Sequence, residues 1–133
     1  MEVKEALYKE LIATTAVTAL LGTRIYPNRV PLKANLPYAA ITVILTGRFE
    51  HSSGSDSGSP EGPYIQISIY GKTPDSAYEA SAAVKTAIMD FSGTMGGSGG
   101  LSVSRALFED SGDLYDDKNR WAGIYLDFIV WHN

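Results

Sequence analysis

Ala122, Ile124, Leu126, Phe128 and Val130 alternate along the final stretch Arg120–Asn133, so a strand there carries one continuously apolar face. The other face holds Trp121, Tyr125, Asp127, Ile129 and Trp131, large and aromatic but interrupted by a carboxylate. A strand at a solvated sheet surface is polar on its outer side. This one is expected to be covered on both faces, by helices on one side and by another subunit on the other. Burial as a central strand within its own domain is the alternative.

Upstream, Val3, Leu7, Leu11, Thr14, Val17 and Leu21 follow helical spacing, which predicts an amphipathic helix over Glu2–Leu21 ended by Gly22. Arg24-Ile25-Tyr26-Pro27 reads as a short extended segment, and Pro31 and Pro37 keep the following loop out of helix. Tyr38–Gly47 reads as the first strand, with Ala39, Ile41, Val43 and Leu45 on one face. Tyr64–Tyr70 reads as the second, where Ile65, Ile67 and Ile69 alternate with polar positions. Thr73 as N-cap and Pro74 at the first helical position open a helix that reaches about Phe91. Leu101–Asp110 is the third strand, and Asp113–Asn119 a polar turn into the fourth.

The expected order is therefore α-β-β-α-β-β. It predicts an α+β domain with a four-stranded, mostly antiparallel sheet and both helices on one face. Two glycine- and serine-rich loops interrupt the pattern. One spans Phe49–Pro63 and includes His51, Ser52, Asp56, Ser59 and Glu61; the other spans Ser92–Gly100 and includes Met95, Gly97 and Gly99. Their composition buries too little apolar surface to order them. Each is read as a flexible tip or as a segment that orders on a partner.

Length and composition narrow the class. The 133 residues suffice for one domain, and 44% hydrophobic with 20% charged residues is ordinary for a globular chain. No apolar run approaches the ~18 residues of a spanning helix, so no membrane partner is expected. The acidic start M-E-V-K-E does not read as a signal peptide. Without cysteine there are no disulfides or thiolate metal sites. A net charge of −4 gives the whole molecule no electrostatic case for nucleic acid. The charge is uneven: residues 1–48 hold six Lys/Arg against three Glu, and residues 93–119 two against five acids. Opposed ends of this kind suit head-to-tail contact between copies, although a solvated scatter accounts for them equally well.

Candidate chemistry does not accumulate. His51 and His132 have no ligands at metal spacing. The glycine loop follows a helix and lacks the Gly-Lys-Ser/Thr ending of a phosphate loop. The acids at 109–117 do not fit a calcium loop. No serine–histidine–aspartate set or buried carboxylate pair can be assembled. No catalytic residue, metal or cofactor is expected, and a structural or assembly protein fits better than an enzyme.

Several segments in order do carry a resemblance. They are the helix ending at Gly22, Arg24-Ile25-Tyr26-Pro27, Leu36-Pro37-Tyr38-Ala39, Gln66-Ile67-Ser68-Ile69-Tyr70-Gly71 before a capped helix, Asp113-Leu114-Tyr115-Asp116, and Tyr125–Trp131. Together they resemble the tail-completion, or tail-terminator, proteins of long-tailed bacteriophages and prophages, similar in architecture to the lambda tail terminator. The resemblance covers nearly the whole chain and rests on no single diagnostic motif. It implies a virion protein, assembled in the bacterial host cytoplasm, that forms a hexameric ring on the head-proximal end of the tail tube. It further implies contacts with the major tail tube protein and a head–tail connector protein, with DNA only passing through the lumen. Neither loop has a family sequence to match. Trp121, Tyr125 and Trp131 are the expected subunit interface, and the two loops the expected partner contacts. Another neck or head-closure protein, or a small ligand-binding α+β domain or enzyme, is the alternative.

Overall fold

The computed structural model describes residues 2–45, 62–116 and 121–132. Helices α1 (Val3–Ile12) and α2 (Thr15–Leu21) lead into β1 (Ile25–Tyr26), β2 (Tyr38–Leu45) and β3 (Tyr64–Gly71). Helix α3 (Pro74–Ile88) follows, then β4 (Gly93–Met95), β5 (Leu101–Asp116) and β6 (Trp121–His132). The strands form one sheet in the order β1-β2-β3-β6-β5-β4, antiparallel except for the parallel β1–β2 pair. The expected four-stranded sheet with two helices is thus corrected, among the described residues, to six strands and three helices, with more residues in strands than in helices.

Each difference has a local cause. The expected first helix breaks at Thr14, which is extended at φ −95°, ψ 110°. Leu11 and Val17 are both fully buried, yet they lie six residues apart. At 3.6 residues per turn that spacing leaves them about 120° out of phase. The break lets both segments turn their apolar side to the sheet, and the Thr14 hydroxyl donates to the Glu10 carbonyl at 2.8 Å. Strands β1 and β4 are too short to show a period. They are held by backbone pairing, Ile25 with Ala39 and Gly93 with Val103. Asp113–Asp116, expected in the polar turn, are strand instead, with β5 paired to β6 as far as Asp116 opposite Trp121.

Other expectations hold. Strand β3 alternates buried Ile65, Ile67 and Ile69 with half-buried Tyr64, Gln66, Ser68 and Tyr70. Thr73 caps α3 by accepting from the Ser76 amide at 3.1 Å, with Pro74 at the helix start. In α3, which ends at Ile88 short of the expected Phe91, Ala77, Ala80, Val84 and Ile88 are buried, while Ala87 and, beyond the helix, Phe91 pack at the margin of the core. One core joins all three helices to one face of the sheet, centred on Ile65, Ile67, Leu126, Phe128 and Val130.

Candidate assembly surface

Because side chains alternate along a strand, the residues between the core positions share the opposite face of the sheet. On β6 those are Trp121, Gly123, Tyr125, Asp127, Ile129 and Trp131; Tyr70, Gln66 and Tyr64 of β3 lie opposite Gly123, Asp127 and Ile129, and Tyr38 of β2 lies opposite Tyr70. Four rings run in contact across this face. Tyr26 meets Tyr38 edge-on at 5.9 Å, Tyr38 meets Tyr70 at 5.5 Å, and Trp121 meets Tyr38 edge-on at 6.1 Å. Sequence reasoning nominated Trp121 but missed Tyr26, Tyr38 and Tyr70. The signal was available: Tyr38 and Tyr70 occupy the non-core parity of their own strands.

Glycines make room for the rings. A Cβ at Gly123 would lie 2.8 Å from the Tyr70 ring, and one at Gly112 would lie 2.6 Å from the Tyr125 ring. At the far end, Gly62 sits under the Trp131 ring, 2.8 Å from where its own Cβ would be. Trp121, Tyr125 and Trp131 therefore share a face without forming one patch. At about 3.3 Å per residue they are strung over roughly 33 Å of β6.

The centre of this face is acidic. Asp127 is buried and accepts from Gln66 Nε2 at 3.1 Å, and Asp110 is its register partner on β5. The Tyr125 hydroxyl reaches Asp110 Oδ2 at 3.5 Å. The Asp110 charge, followed by loss of solvent, Asp127 and that hydrogen bond, raises the Tyr125 phenol above its ordinary value. Loss of solvent first, and then Asp127, Glu109, Asp110 and Tyr125, raises Tyr64 as well. Both phenols hold their protons more tightly folded than unfolded. Their contribution to stability is fully present below about pH 10 and is lost as the pH rises through the folded values. Asp110→Asn is expected to lower the pH at which Tyr125 ionises, followed by NMR of labelled tyrosines. Asp75→Asn, on α3, should leave it where it is.

The loop residues separate. His51, Ser52, Asp56, Ser59 and Glu61 lie outside the described residues. In the second loop, Gly97 and Gly99 are exposed at φ +81° and +74°. Met95, in contrast, is fully buried in the core, so it anchors the loop and offers no surface to a partner. Glu10 Oε1 accepts from the Gly96 amide at 3.1 Å, which ties this turn to α1. His132 is buried at the end of β6, and no metal-binding cluster of acids and histidines occurs among the described residues.

The fold thus defines a domain with one sheet face closed by its own helices and the other laid with aromatic rings and acids. Over residues 5–133 the chain matches the family described as tail completion protein gp17. It belongs to that family, and with it to the structural proteins of phage-type virion tails. Among solved structures, a chain of the "Virion of native gene transfer agent (GTA) particle" is similar, with a TM-score of 0.73 at 20% identity. The alignment covers 98% of this chain and 93% of that one, a likeness that shows a shared fold. No curated protein matches by sequence.

Proposed function

We propose that the protein closes the head-proximal end of a long tail tube as a homo-oligomeric ring, most simply a hexamer. It ends tube polymerisation there and presents a surface for head–tail joining. The observation that carries this reading is the outer sheet face, where half-buried Trp121, Tyr125, Ile129 and Trp131 are left uncovered by the chain's own helices. Aromatic area of this kind is what subunit contacts use. Family membership supports a place at the completed tail. In this reading Trp121, Tyr125 and Trp131 lie at or near the contact between protomers. The turn carrying Gly97 and Gly99, together with the segment from His51 to Glu61, meets the tube protein or the connector. DNA passes through the lumen, and assembly takes place in the host cytoplasm.

The test is light scattering with negative-stain microscopy at rising concentration, followed by addition of the protein to growing tail tubes. Rings with a central hole, and tubes of limited length, are expected. Tubes that keep growing, with binding to a connector instead, would make this a head-closure protein. Tyr125→Ser should weaken assembly about tenfold or more while the protomer melts as a folded domain. Loss of folding in that variant would make the face internal core and remove it from the interface.

A further inference from the structure

Leu32 stands wholly in solvent, at 101% relative exposure, whereas the exposed tyrosines Tyr78 and Tyr115 keep 67% and 64%. It projects from a loop restricted by Pro27, Pro31 and Pro37. The base of that loop is tethered by Arg24, whose Nε donates to the Pro37 carbonyl at 2.8 Å and whose Nη2 reaches the Leu20 carbonyl at 3.4 Å. A leucine displayed on a braced loop adds no buried apolar area to its own fold, so any gain from that side chain must come from burial against something else.

A hole of matching character lies elsewhere on the molecule. Helix α3 packs on the inner face of β3 and β6. An open cleft of about 420 Å³ runs between helix and sheet, lined by Pro74, Asp75 and Tyr78 of α3 and by Asp113, Tyr115 and Ile124 of the β5–β6 pair. Its volume falls in the range that takes small apolar groups. Its walls are mostly apolar, and the exposed carboxylates Asp75 and Asp113 stand among them. The Leu32 loop carries the opposite charge, with exposed Arg29 and Lys33 on either side of the knob.

We infer that Leu32 of one protomer seats in this cleft of the next, with Arg29 and Lys33 facing Asp75 and Asp113. The occupant is a second copy of this chain. The cross-strand line Tyr38–Tyr70–Gly123–Leu114 puts loop and cleft at the same end of the sheet but on opposite sides of it. A knob on one flank and its hole on the other make a heterologous contact, which closes into a ring when the rotation between copies allows. This inference rests on the homo-oligomeric reading above and supplies that reading with a specific joint. Buried aliphatic area gives the joint affinity, and the flanking charges give it direction.

The chain contains no cysteine, so two can be placed cleanly. Leu32→Cys and Tyr115→Cys chains, mixed and treated with a short bismaleimide, should link to each other, and the double variant should give a ladder of covalent oligomers. Leu32→Asp should raise the concentration needed for half-assembly about tenfold or more, with the protomer's melting unchanged. Lys33→Glu should weaken assembly in the same way and be rescued by Asp113→Lys. If oligomers form by light scattering but neither cross-linking nor Leu32→Asp touches them, the joint is wrong and the ring reading stands. If Tyr115→Cys links to tube or connector subunits in preference to Leu32→Cys, the cleft belongs to that partner and the inference fails. If the wild-type chain forms no oligomer free or on tube ends, the ring reading falls and the joint with it.

Discussion

Phe128→Ala is expected to destabilise the protomer by about 3–5 kcal/mol, the range for emptying a fully buried aromatic site. Among the described residues Phe128 is the largest completely buried side chain, and β6 places it in the middle of the sheet between Ile65 of β3 and Phe108 of β5. Its ring meets Phe108 edge-on at 5.6 Å, and the cavity left by alanine would be walled by residues already at core density. Domains of this size have a stability of about 5–15 kcal/mol, so the loss is a large share of the whole. Thermal melting should fall by on the order of 10 °C or more. Urea unfolding of Phe128→Ala beside Tyr125→Ser compares the two faces of one strand. The inner substitution should move the midpoint far, and the outer one should mainly change assembly.

Gly100→Ala is the second large effect, and its origin is backbone. A Cβ at Gly100 would run into the Met95 carbonyl oxygen and would lie 2.8 Å from the Gly97 carbonyl oxygen and 2.9 Å from the Met95 carbonyl carbon. None of these is the end of a flexible side chain, so the turn itself must move. Overpacking of this kind costs about 1–3 kcal/mol or more. The Gly100 amide donates to Gly97 at 3.0 Å, and the turn brings β4 back onto β5 with Met95 opposite Leu101. The variant should therefore open the β4–β5 pair and expose Met95, seen as faster amide hydrogen exchange at both strands. Gly97→Ala is the comparison. No atom lies within 4 Å of its Cβ, so only the left-handed backbone at φ +81° opposes it, at about 1 kcal/mol.

These two positions also mark where sequence stops being informative. Phe128 belongs to a long alternating run whose period alone predicts which face is buried, and the same holds for Ile65, Ile67 and Ile69. The cap at Thr73 follows from short-range chemistry and was equally legible. Gly93–Met95 was not, because three residues rich in glycine show neither period nor propensity. Its strand exists through pairing with β5, a partner that composition does not reveal. The break at Thr14 could have been found from the six-residue gap between Leu11 and Val17. Apolar spacing read loosely passes over such a phase error. Of the nominated surface residues, Trp121, Tyr125 and Trp131 were readable as one face. Their separation along it, and the Tyr26–Tyr38–Tyr70 rings beside Trp121, depend on register between strands. Met95 reads as part of a polar loop because its neighbours are glycines, and a single apolar residue among them is the sign that it points inward.

Strand β5 pairs with β6 along most of its length, yet among the described residues its other edge meets β4 only between Leu101 and Val103. Ala106 exchanges backbone hydrogen bonds with Asp90 and Phe91 on that same edge, and an open edge beyond it would be a template for pairing with a foreign strand, copy after copy. Glu109, Asp110 and Asp113 are spaced along it, and its pairing is kinked between Phe108 and Asp110. Two such edges approaching one another bring like charges together on a bent line. Association through strand edges, the open-ended mode, is thereby disfavoured.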